Sequence, residues 1–209
     1  LEAAGINNLA DFSLSGESLM NLMISDDNTK KQSHQKNAFS SRERHSNSRY
    51  NNKGYPQRAI RTKKFLYIKN YTAEAWPAGA PLFFNNEDNG LDDAFFDIDA
   101  SPSKQFLLDN RNDLLYKTFF EDAVGKRPSE ELYDIINDPS CLQNLIDFEE
   151  YEELKSELAK ELTDYLIETG DPSELGNDTE IFESYPRLRG PMRSFPKINL
   201  ALHNYRIIQ

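Results

Sequence analysis

The chain has 209 residues, of which 38% are hydrophobic and 28% charged, and its formal net charge at pH 7 is −11. This composition suits one domain with extensions, and the negative charge argues against a nucleic-acid binder or a general polyanion binder. The single cysteine excludes an internal disulfide and a cysteine metal cluster, and no apolar run is long enough to predict a membrane helix.

Two short helices are predicted before residue 37. Residues 1–9 resemble the end of a helix that stops at Gly5, and residues 15–24 have the spacing of a short amphipathic helix. Because Leu1 stands within what looks like a helix already under way, we expect the chain to be the C-terminal part of a longer protein. Residues 1–36 would then be a connecting segment.

A basic segment and a β-hairpin follow. Five Arg and four Lys lie between Phe39 and Tyr71, although the chain as a whole is acidic. Residues 37–41 predict a short strand, and residues 58–62 and 65–70 predict two strands joined by a Lys-Lys turn. The basic segment is either a solvated loop or one wall of a site for an anionic substrate.

The next part of the chain is irregular. Residues 72–130 are rich in Pro, Asn and Asp, and so long an irregular stretch is usually functional or lies against a partner surface. Helices are predicted within it over residues 101–110 and 114–124. A strand over residues 131–135 and an Asn-Asp-Pro turn at residues 137–139 come next.

A long helix is the most periodic element. Asp147 and Glu150 have the spacing of a capping box, and Gly170 and Pro172 end the helix. The apolar residues form one stripe at intervals of three and four: Tyr151, Leu154, Leu158, Leu162, Tyr165 and Leu166. The glutamates are expected to form a solvated face on the other side: Glu149, Glu152, Glu153 and Glu161.

These elements predict an α+β fold, with a small antiparallel sheet of about four strands packed against one long C-terminal helix and with long irregular loops. We assign the α+β domain to residues 37–172 and an extended C-terminal tail, expected to wrap on another surface, to residues 173–209. One helix on so few strands is a thin core for 209 residues, so we expect the module to pack against something larger.

Several short motifs follow one another in an informative order. They are "LEAAGI…SGESLMNLM", "RERH", "GYPQRAIRTKKFLYIKNY", "WPAGAP", "ELYDIINDPSCLQNLI" and a helix ending "ETGDP". Together they resemble the C-terminal region of the sulfatase family, and most closely the branch of heparan N-sulfatase (sulfamidase) and its bacterial polysaccharide relatives. The resemblance implies the C-terminal subdomain of the alkaline-phosphatase-like sulfatase fold, in a parent protein expected to be extracytoplasmic (periplasmic, secreted or lysosomal).

The resemblance also implies chemistry that this chain lacks. Sulfatases use a formylglycine, made from Cys or Ser in a C/S-x-P-x-R signature, and a calcium ion bound by an Asp/Asn cluster of the N-terminal domain. Cys141 has no Pro two residues later and no Arg four residues later, so we expect it to be structural. We therefore predict no catalytic and no metal-binding residue here, no bound cofactor, and no activity of this chain alone.

The "RERH" motif is the candidate substrate-binding site. Arg42 and Arg44 have guanidinium groups that suit sulfate or carboxylate, Glu43 can accept hydrogen bonds from sugar hydroxyls, and His45 can donate one. On a strand the two arginines share one face, and Glu43 and His45 share the other, unless the backbone bends. We expect Glu43 and His45 to face the pocket. The alternative is a surface cluster of salt bridges.

Other polar or aromatic residues are weaker candidates. Arg61 is expected to form a structural ion pair with Glu131 or Asp134, and Trp76 to be a packing anchor more than a platform for a sugar. The remaining histidines, in a polar loop and in the tail, are less favoured as site residues: His34 and His203.

The leading hypothesis is the C-terminal portion of a sulfatase acting on a sulfated glycan, with an N- or O-sulfated glucosamine-type sugar. Its expected partners are its own N-terminal catalytic domain and the sulfated sugar, with no nucleic acid and no membrane. One alternative is a non-catalytic module for carbohydrate or protein interaction. Another is part of a related metal-dependent phosphoesterase.

Overall fold

The computed structural model of the chain describes residues 2–5, 18–24, 37–43, 49, 53–79, 81–83, 94–176, 181–184 and 206–207. Two compact units are distinguished, Leu1–Ala38 and Phe39–Gln209. In the first unit, a 3₁₀ helix at Glu2–Ala4 ends at Gly5, whose φ is +78°, as the sequence predicts. The first α-helix, α1, covers Met20–Ile24, and residues 15–17 of the predicted helix lie outside the described residues.

Six strands are described, and in chain order they are β1 (Ala38–Arg42), β2 (Gln57–Arg61), β3 (Phe65–Asn70), β4 (Leu82–Phe83), β5 (Glu130–Asp134) and β6 (Arg206–Ile207). The main sheet has the order β1-β2-β3-β5, and β3 pairs antiparallel with both β2 and β5. The predicted hairpin is therefore confirmed. Its turn is stabilised by the hydroxyl of Thr62, which accepts hydrogen bonds from the backbone N–H groups of Lys64 and Phe65.

The other helices of the described residues are α2 (Pro102–Asp109), α3 (Lys117–Val124), α4 (Glu152–Glu168) and α5 (Ile181–Ser184). Ser101 caps α2, because its hydroxyl accepts a hydrogen bond from the backbone N–H of Lys104, and Pro102 occupies the first helical position. No described helix is both long and apolar enough to cross a bilayer.

The start of the long helix differs from its prediction. A 3₁₀ helix at Glu149–Tyr151 precedes α4, and neither Phe148 nor Tyr151 at the two N-cap positions forms a side-chain cap. Asp147 and Glu150 therefore do not form the expected capping box. The backbone N–H of Leu145 donates to the carbonyl of Leu132 in β5 at 2.7 Å, so the chain is held against the sheet just before the helix.

The main hydrophobic core lies between the sheet and α4. The predicted stripe is confirmed: Leu158, Leu162 and Leu166 are buried, and they pack with Ile60, Tyr67, Leu132 and Leu145, while Tyr151, Leu154 and Tyr165 are partly buried around them. On the edge strand, Phe39 stacks on Tyr165 with ring centroids 3.8 Å apart. The predicted glutamates of the opposite face are exposed.

A second, smaller core explains much of the irregular region. Phe95 is almost fully buried and contacts Trp76 and Phe120 edge to face, with Ala94, Leu108 and Val124 buried around them. Part of residues 72–130 therefore packs on itself. The α+β class, the four-stranded sheet, the long helix and the irregular loops are confirmed.

Two short elements are described in the tail after α4. Within the described residues, α5 follows the long helix, and β6 near the C-terminus pairs antiparallel with β4, with Leu82 opposite Ile207. β6 completes a two-stranded sheet within the same unit, and the expectation that the tail wraps on another surface stays a prediction.

Candidate functional site

The end of β1 brings the first half of the "RERH" motif beside β2. Arg42 is the last residue of β1, and Glu43 follows it. The backbone carbonyl of Glu43 accepts a hydrogen bond from the backbone N–H of Tyr55 at 2.7 Å, so the two ends of the intervening loop are close together. Arg44 and His45 lie outside the described residues, so their predicted role stays a prediction.

Arg58 is the centre of a buried ionic cluster next to Glu43. Side chains alternate along β2, so Arg58 shares with Ile60 the face that α4 covers. Ile60 enters the apolar core, whereas Arg58, only 1% exposed, lies beyond the end of the helix. Its Nε and Nη2 donate to Asp171 Oδ2 and Oδ1 at 2.7 and 3.2 Å, and its Nη2 lies 2.5 Å from Glu43 Oε1. A buried guanidinium is thus paired with two carboxylates.

The end of α4 sets the position of Asp171. Gly170 has φ +76°, and its N–H donates to the carbonyl of Ile167, while the N–H of Asp171 donates to the carbonyl of Leu166 at 2.8 Å. This pattern is a Schellman motif, which reverses the chain at the helix end. The predicted helix stop is confirmed, and it also delivers the carboxylate of Asp171 to Arg58.

A second ion pair extends the cluster. Lys69 Nζ lies 2.5 Å from Glu174 Oε1, and the Tyr71 hydroxyl donates to the same carboxylate. The guanidinium of Arg58 lies 5.6 Å from the ring centroid of Tyr71 and 5.8 Å from that of Phe182. We refer to Glu43, Arg58, Lys69, Asp171 and Glu174 as the Arg58 cluster. Their formal charges, two positive and three negative, sum to −1.

The pKa values of Arg58 and of the neighbouring Tyr71 are both raised. Burial acts to lower the pKa of Arg58, but the hydrogen bonds and charges of Asp171 and Glu43 outweigh it and raise that pKa. Burial and the hydrogen bond to Glu174 raise the pKa of Tyr71. Arg58 therefore stays charged, and its nitrogens are bound to two carboxylates and to the carbonyl of Gln57, so this buried side chain positions Glu43 and is not itself open to a ligand.

Glu43 is the part of the cluster that reaches solution. Its side chain is 25% exposed, compared with 13% for Asp171 and 1% for Arg58. A carboxylate fixed by a buried guanidinium and partly open to solvent is a pre-oriented acceptor for hydroxyl groups.

Arg42, the first residue of the motif, belongs to a second ionic cluster. Arg42 Nη2 and Arg49 Nη2 each lie 3.0 Å from Asp97 Oδ2. Arg49 also donates through Nε to the carbonyl of Trp76 at 2.8 Å and through Nη2 to the carbonyl of Pro77. Burial lowers the pKa of Arg49, and Asp97 opposes that shift. Arg42 thus pairs with Asp97, whereas Glu43 pairs with Arg58. Separate partners for these two neighbours are what the alternation of side chains along a strand predicts.

The expected ion pair of Arg61 is not formed with either of its proposed acids. Lys64, not Arg61, is the basic residue whose ammonium pairs with Asp134, with Nζ–Oδ2 at 3.4 Å, and Glu131 instead accepts hydrogen bonds from Asn70 and Tyr133. The expected pair of Arg61 with either acid is therefore wrong. Lys64 lies in the hairpin turn beyond the end of β2, and its ammonium is therefore closer to Asp134 than the guanidinium of Arg61 is.

Trp76 and Cys141 are structural. Trp76 packs against Phe95 in the second core, which confirms the packing interpretation. Cys141 is a free thiol in a turn with φ +53°, and burial raises the pKa of its thiol, so it is a poor nucleophile. The histidines that were weaker candidates, His34 and His203, lie outside the described residues.

The acidic partners of the two clusters were not predicted from the sequence. Asp97, Asp171 and Glu174 carry no local signal, and Arg49 was not singled out. One available signal was the position of Arg58 two residues before Ile60 on a strand, because a charge on a buried face requires a partner. Among the residues that the structure describes, no group of three or more His, Cys, Asp or Glu side chains could bind a metal ion.

The comparisons with known proteins agree with the motif resemblance at the level of sulfatases, and they do not support the heparan N-sulfatase branch in particular. No family model matches the chain. The chain is similar to the ulvan-active sulfatase of Formosa agariphila, with 30% identity over 155 residues. The similarity supports a relationship with sulfatases. The aligned part covers 72% of this chain but 23% of that protein, so the chain spans about a quarter of the length of the curated relative it matches.

Proposed function

We propose that this chain is the C-terminal portion of a sulfatase that acts on a sulfated glycan, and that it shapes the substrate pocket. The observation that carries the proposal is the similarity to a sulfatase over 155 residues. In this account the N-terminal catalytic domain supplies the formylglycine and the calcium ion, and this chain supplies contacts to the sugar. The 209-residue chain alone is then inactive.

The proposed contacts come from the "RERH" motif. Glu43 accepts hydrogen bonds from sugar hydroxyls, and the Arg58 guanidinium at 2.5 Å supports this role by fixing the carboxylate. Arg42 is the proposed contact for an anionic group of the sugar, because its side chain is 46% exposed even though it pairs with Asp97. Arg44 and His45 complete the proposed set.

The proposed protein partner is the N-terminal catalytic domain of the same polypeptide. An open apolar groove of about 550 Å³ between α2 and α3 is lined by Pro102, Ser103, Phe106, Leu107, Tyr116 and Phe119. Nearby, Leu114 and Leu115 are 92% and 74% exposed, and such apolar surface marks an interaction site. In this proposal the N-terminal catalytic domain of the longer polypeptide covers this groove.

The sugar and the type of sulfate are further proposals. The branch related to heparan N-sulfatase predicts an N- or O-sulfated glucosamine-type sugar, whereas the relative is named for action on ulvan. A panel of N-sulfated and O-sulfated glucosamine glycans together with ulvan distinguishes these substrates by the inorganic sulfate that is released. An extracytoplasmic location of the parent stays part of the proposal and is tested by fractionation.

Kinetics of the full-length protein test the role of the motif. Glu43→Gln and His45→Ala should each lower kcat/KM on the glycan by about 10²-fold, which corresponds to about 2.7 kcal/mol. Both variants should keep most of their activity on a small arylsulfate without a sugar. Glu153→Gln, on the exposed face of α4, is the matched control and should change neither rate.

Each other outcome assigns a different role. Equal losses on the glycan and the arylsulfate would place Glu43 in the catalytic machinery, and no loss on either would reduce the motif to a surface cluster of salt bridges. The interface is tested separately with Phe119→Ser. This change should lower the melting temperature of the full-length protein more than that of the 209-residue chain, because the exposed Phe119 has its partner only in the longer protein.

A further inference from the structure

The cluster of Arg42, Asp97 and Arg49 carries more positive charge than it neutralises. The two guanidinium groups share a single carboxylate, and both reach the same oxygen of Asp97 at 3.0 Å. The side chain of Asp97 is 2% exposed and that of Arg49 is 5% exposed, so bulk solvent screens this pair poorly. The three formal charges sum to +1, in a chain whose net charge is −11.

One edge of the Arg49 guanidinium is left unsatisfied. Its Nε and Nη2 donate to the carbonyls of Trp76 and Pro77 and to Asp97. Its Nη1 is buried and has no hydrogen-bond partner within the part of the chain that the structure describes. A buried donor without a partner costs about 1–3 kcal/mol, so such a group normally has an acceptor in the functional state.

The surroundings hold the Arg49 guanidinium rigidly beside the more exposed guanidinium of Arg42. The ring of Tyr55 covers one face of the guanidinium, with Cζ 5.7 Å from the ring centroid. The two carbonyls and Asp97 hold the rest of the group in place. Arg42 provides the exposed side, since nearly half of its side chain contacts solvent. An anion that arrives from solution at Arg42 therefore meets a guanidinium whose buried neighbour is already oriented.

We propose that Arg42 and Arg49 form a subsite for an oxyanion, a sulfate or a carboxylate group of a glycan, and that Asp97 holds the two guanidinium groups together. The inference rests on the proposed function, because it assigns the anion to a glycan. It adds Arg49 to the substrate contacts and separates this anion from the sulfate that is hydrolysed. The planar guanidinium groups suit the paired oxygens of either anion.

The chain contains a natural reporter of this subsite. Trp76 is the single tryptophan, and its carbonyl accepts the hydrogen bond from Arg49 Nε. Sodium sulfate titrated into the 209-residue chain, with sodium chloride added to keep the ionic strength constant, should change the Trp76 fluorescence along a saturable curve. A general salt effect on the protein surface gives a response that does not saturate.

Three variants test the assignment. Arg42→Gln should weaken sulfate binding by about tenfold or more, and Arg49→Lys should do the same because lysine lacks the second guanidinium edge. Arg61→Gln removes an exposed arginine at the end of β2 and should leave the binding curve unchanged. If Arg49→Lys does not fold, the exposed Arg42→Gln variant decides the result alone.

A second titration, with glucuronate, distinguishes a sulfate group from a sugar carboxylate as the bound anion. A saturable response to sulfate alone assigns a sulfate group, and a response to glucuronate alone assigns a sugar carboxylate. No saturable response to either anion, or equal binding by wild type and Arg42→Gln, would overturn the subsite. The assay measures binding by this chain, so its failure is distinguishable from a failure of the parent protein to hydrolyse sulfate.

Discussion

The Arg58 cluster is tested most sharply by Asp171→Asn. The substitution keeps the shape of the side chain but removes one of the two negative charges beside the buried guanidinium. Asp171 accepts two hydrogen bonds from Arg58, at 2.7 and 3.2 Å, and one from the backbone N–H of Ser173 at 2.9 Å. An asparagine has one acceptor oxygen, so its NH₂ group faces a guanidinium N–H in either orientation, and in one of them it also faces the Ser173 N–H.

The burial of the pair sets the magnitude. Removing one partner of a buried ion pair costs about 3–5 kcal/mol, because the other charge is left uncompensated. Arg58 keeps Glu43, and Asp171 is 13% exposed, so the cost should fall at or below the lower end of that range. We expect a loss of about 2–3 kcal/mol, which lowers the melting temperature of a domain of this size by about 5–10 °C.

Urea unfolding followed by circular dichroism measures this loss. The matched control is Asp164→Asn, which removes an exposed carboxylate that pairs with Lys160 on α4, and its cost should stay below about 0.5 kcal/mol. A double-mutant cycle with Glu43→Gln should show coupling, because both carboxylates contact one guanidinium. If Asp171→Asn and its control shift the urea midpoint equally, the Arg58 cluster does not contribute to stability as a buried ion-pair network.

Three further changes test the fold. Leu158→Ala should cost about 2–5 kcal/mol in urea unfolding, because Leu158 is 4% exposed in the main core, whereas Glu153→Ala should cost under about 0.5 kcal/mol; equal costs would mean that the helix stripe is wrongly assigned. Gly170→Ala should cost about 1 kcal/mol, since its φ of +76° disfavours a side chain although no neighbouring atom obstructs it, and an unchanged stability would contradict the Schellman motif. Burial raises the pKa of Tyr55 to about 12, so its neutral form stabilises the folded state fully below pH 10, and this contribution is lost as the pH rises from about 10 to 12. Tyr55→Phe should therefore gain on wild type by at most about 1.4 kcal/mol per pH unit in that window, and a constant difference between the two proteins from pH 9 to 11.5 would contradict the raised pKa.

Local patterns made much of the fold predictable. The hairpin of β2 and β3 was readable because β-branched and aromatic residues flank a Lys-Lys turn, and α4 because its apolar residues recur every three or four positions. The start of α4 could not be predicted from the sequence. Asp147 and Glu150 have suitable spacing for a cap, but the contact of Leu145 with β5 fixes the chain before the helix begins.

The candidate site was predictable only in part, for a related reason. The motif itself pointed to Arg42 and Glu43, but their partners are distant along the chain. Asp97 is 55 residues from Arg42, and Asp171 is 113 residues from Arg58. Such contacts are determined by the packing of the sheet and the helix end, and no local pattern in one sequence specifies which acid meets which arginine.

Release of inorganic sulfate distinguishes a sulfatase whose chemistry lies outside this chain from the alternatives. The full-length polypeptide that contains this chain and the 209-residue chain alone are each incubated with sulfated glycans and calcium, after exposure to a formylglycine-generating enzyme. We predict that the full-length protein releases sulfate and that the chain alone releases none above the buffer rate. Turnover by the chain alone, abolished by a substitution within it, or a full-length protein that cleaves phosphate esters but no sulfate, would contradict the account.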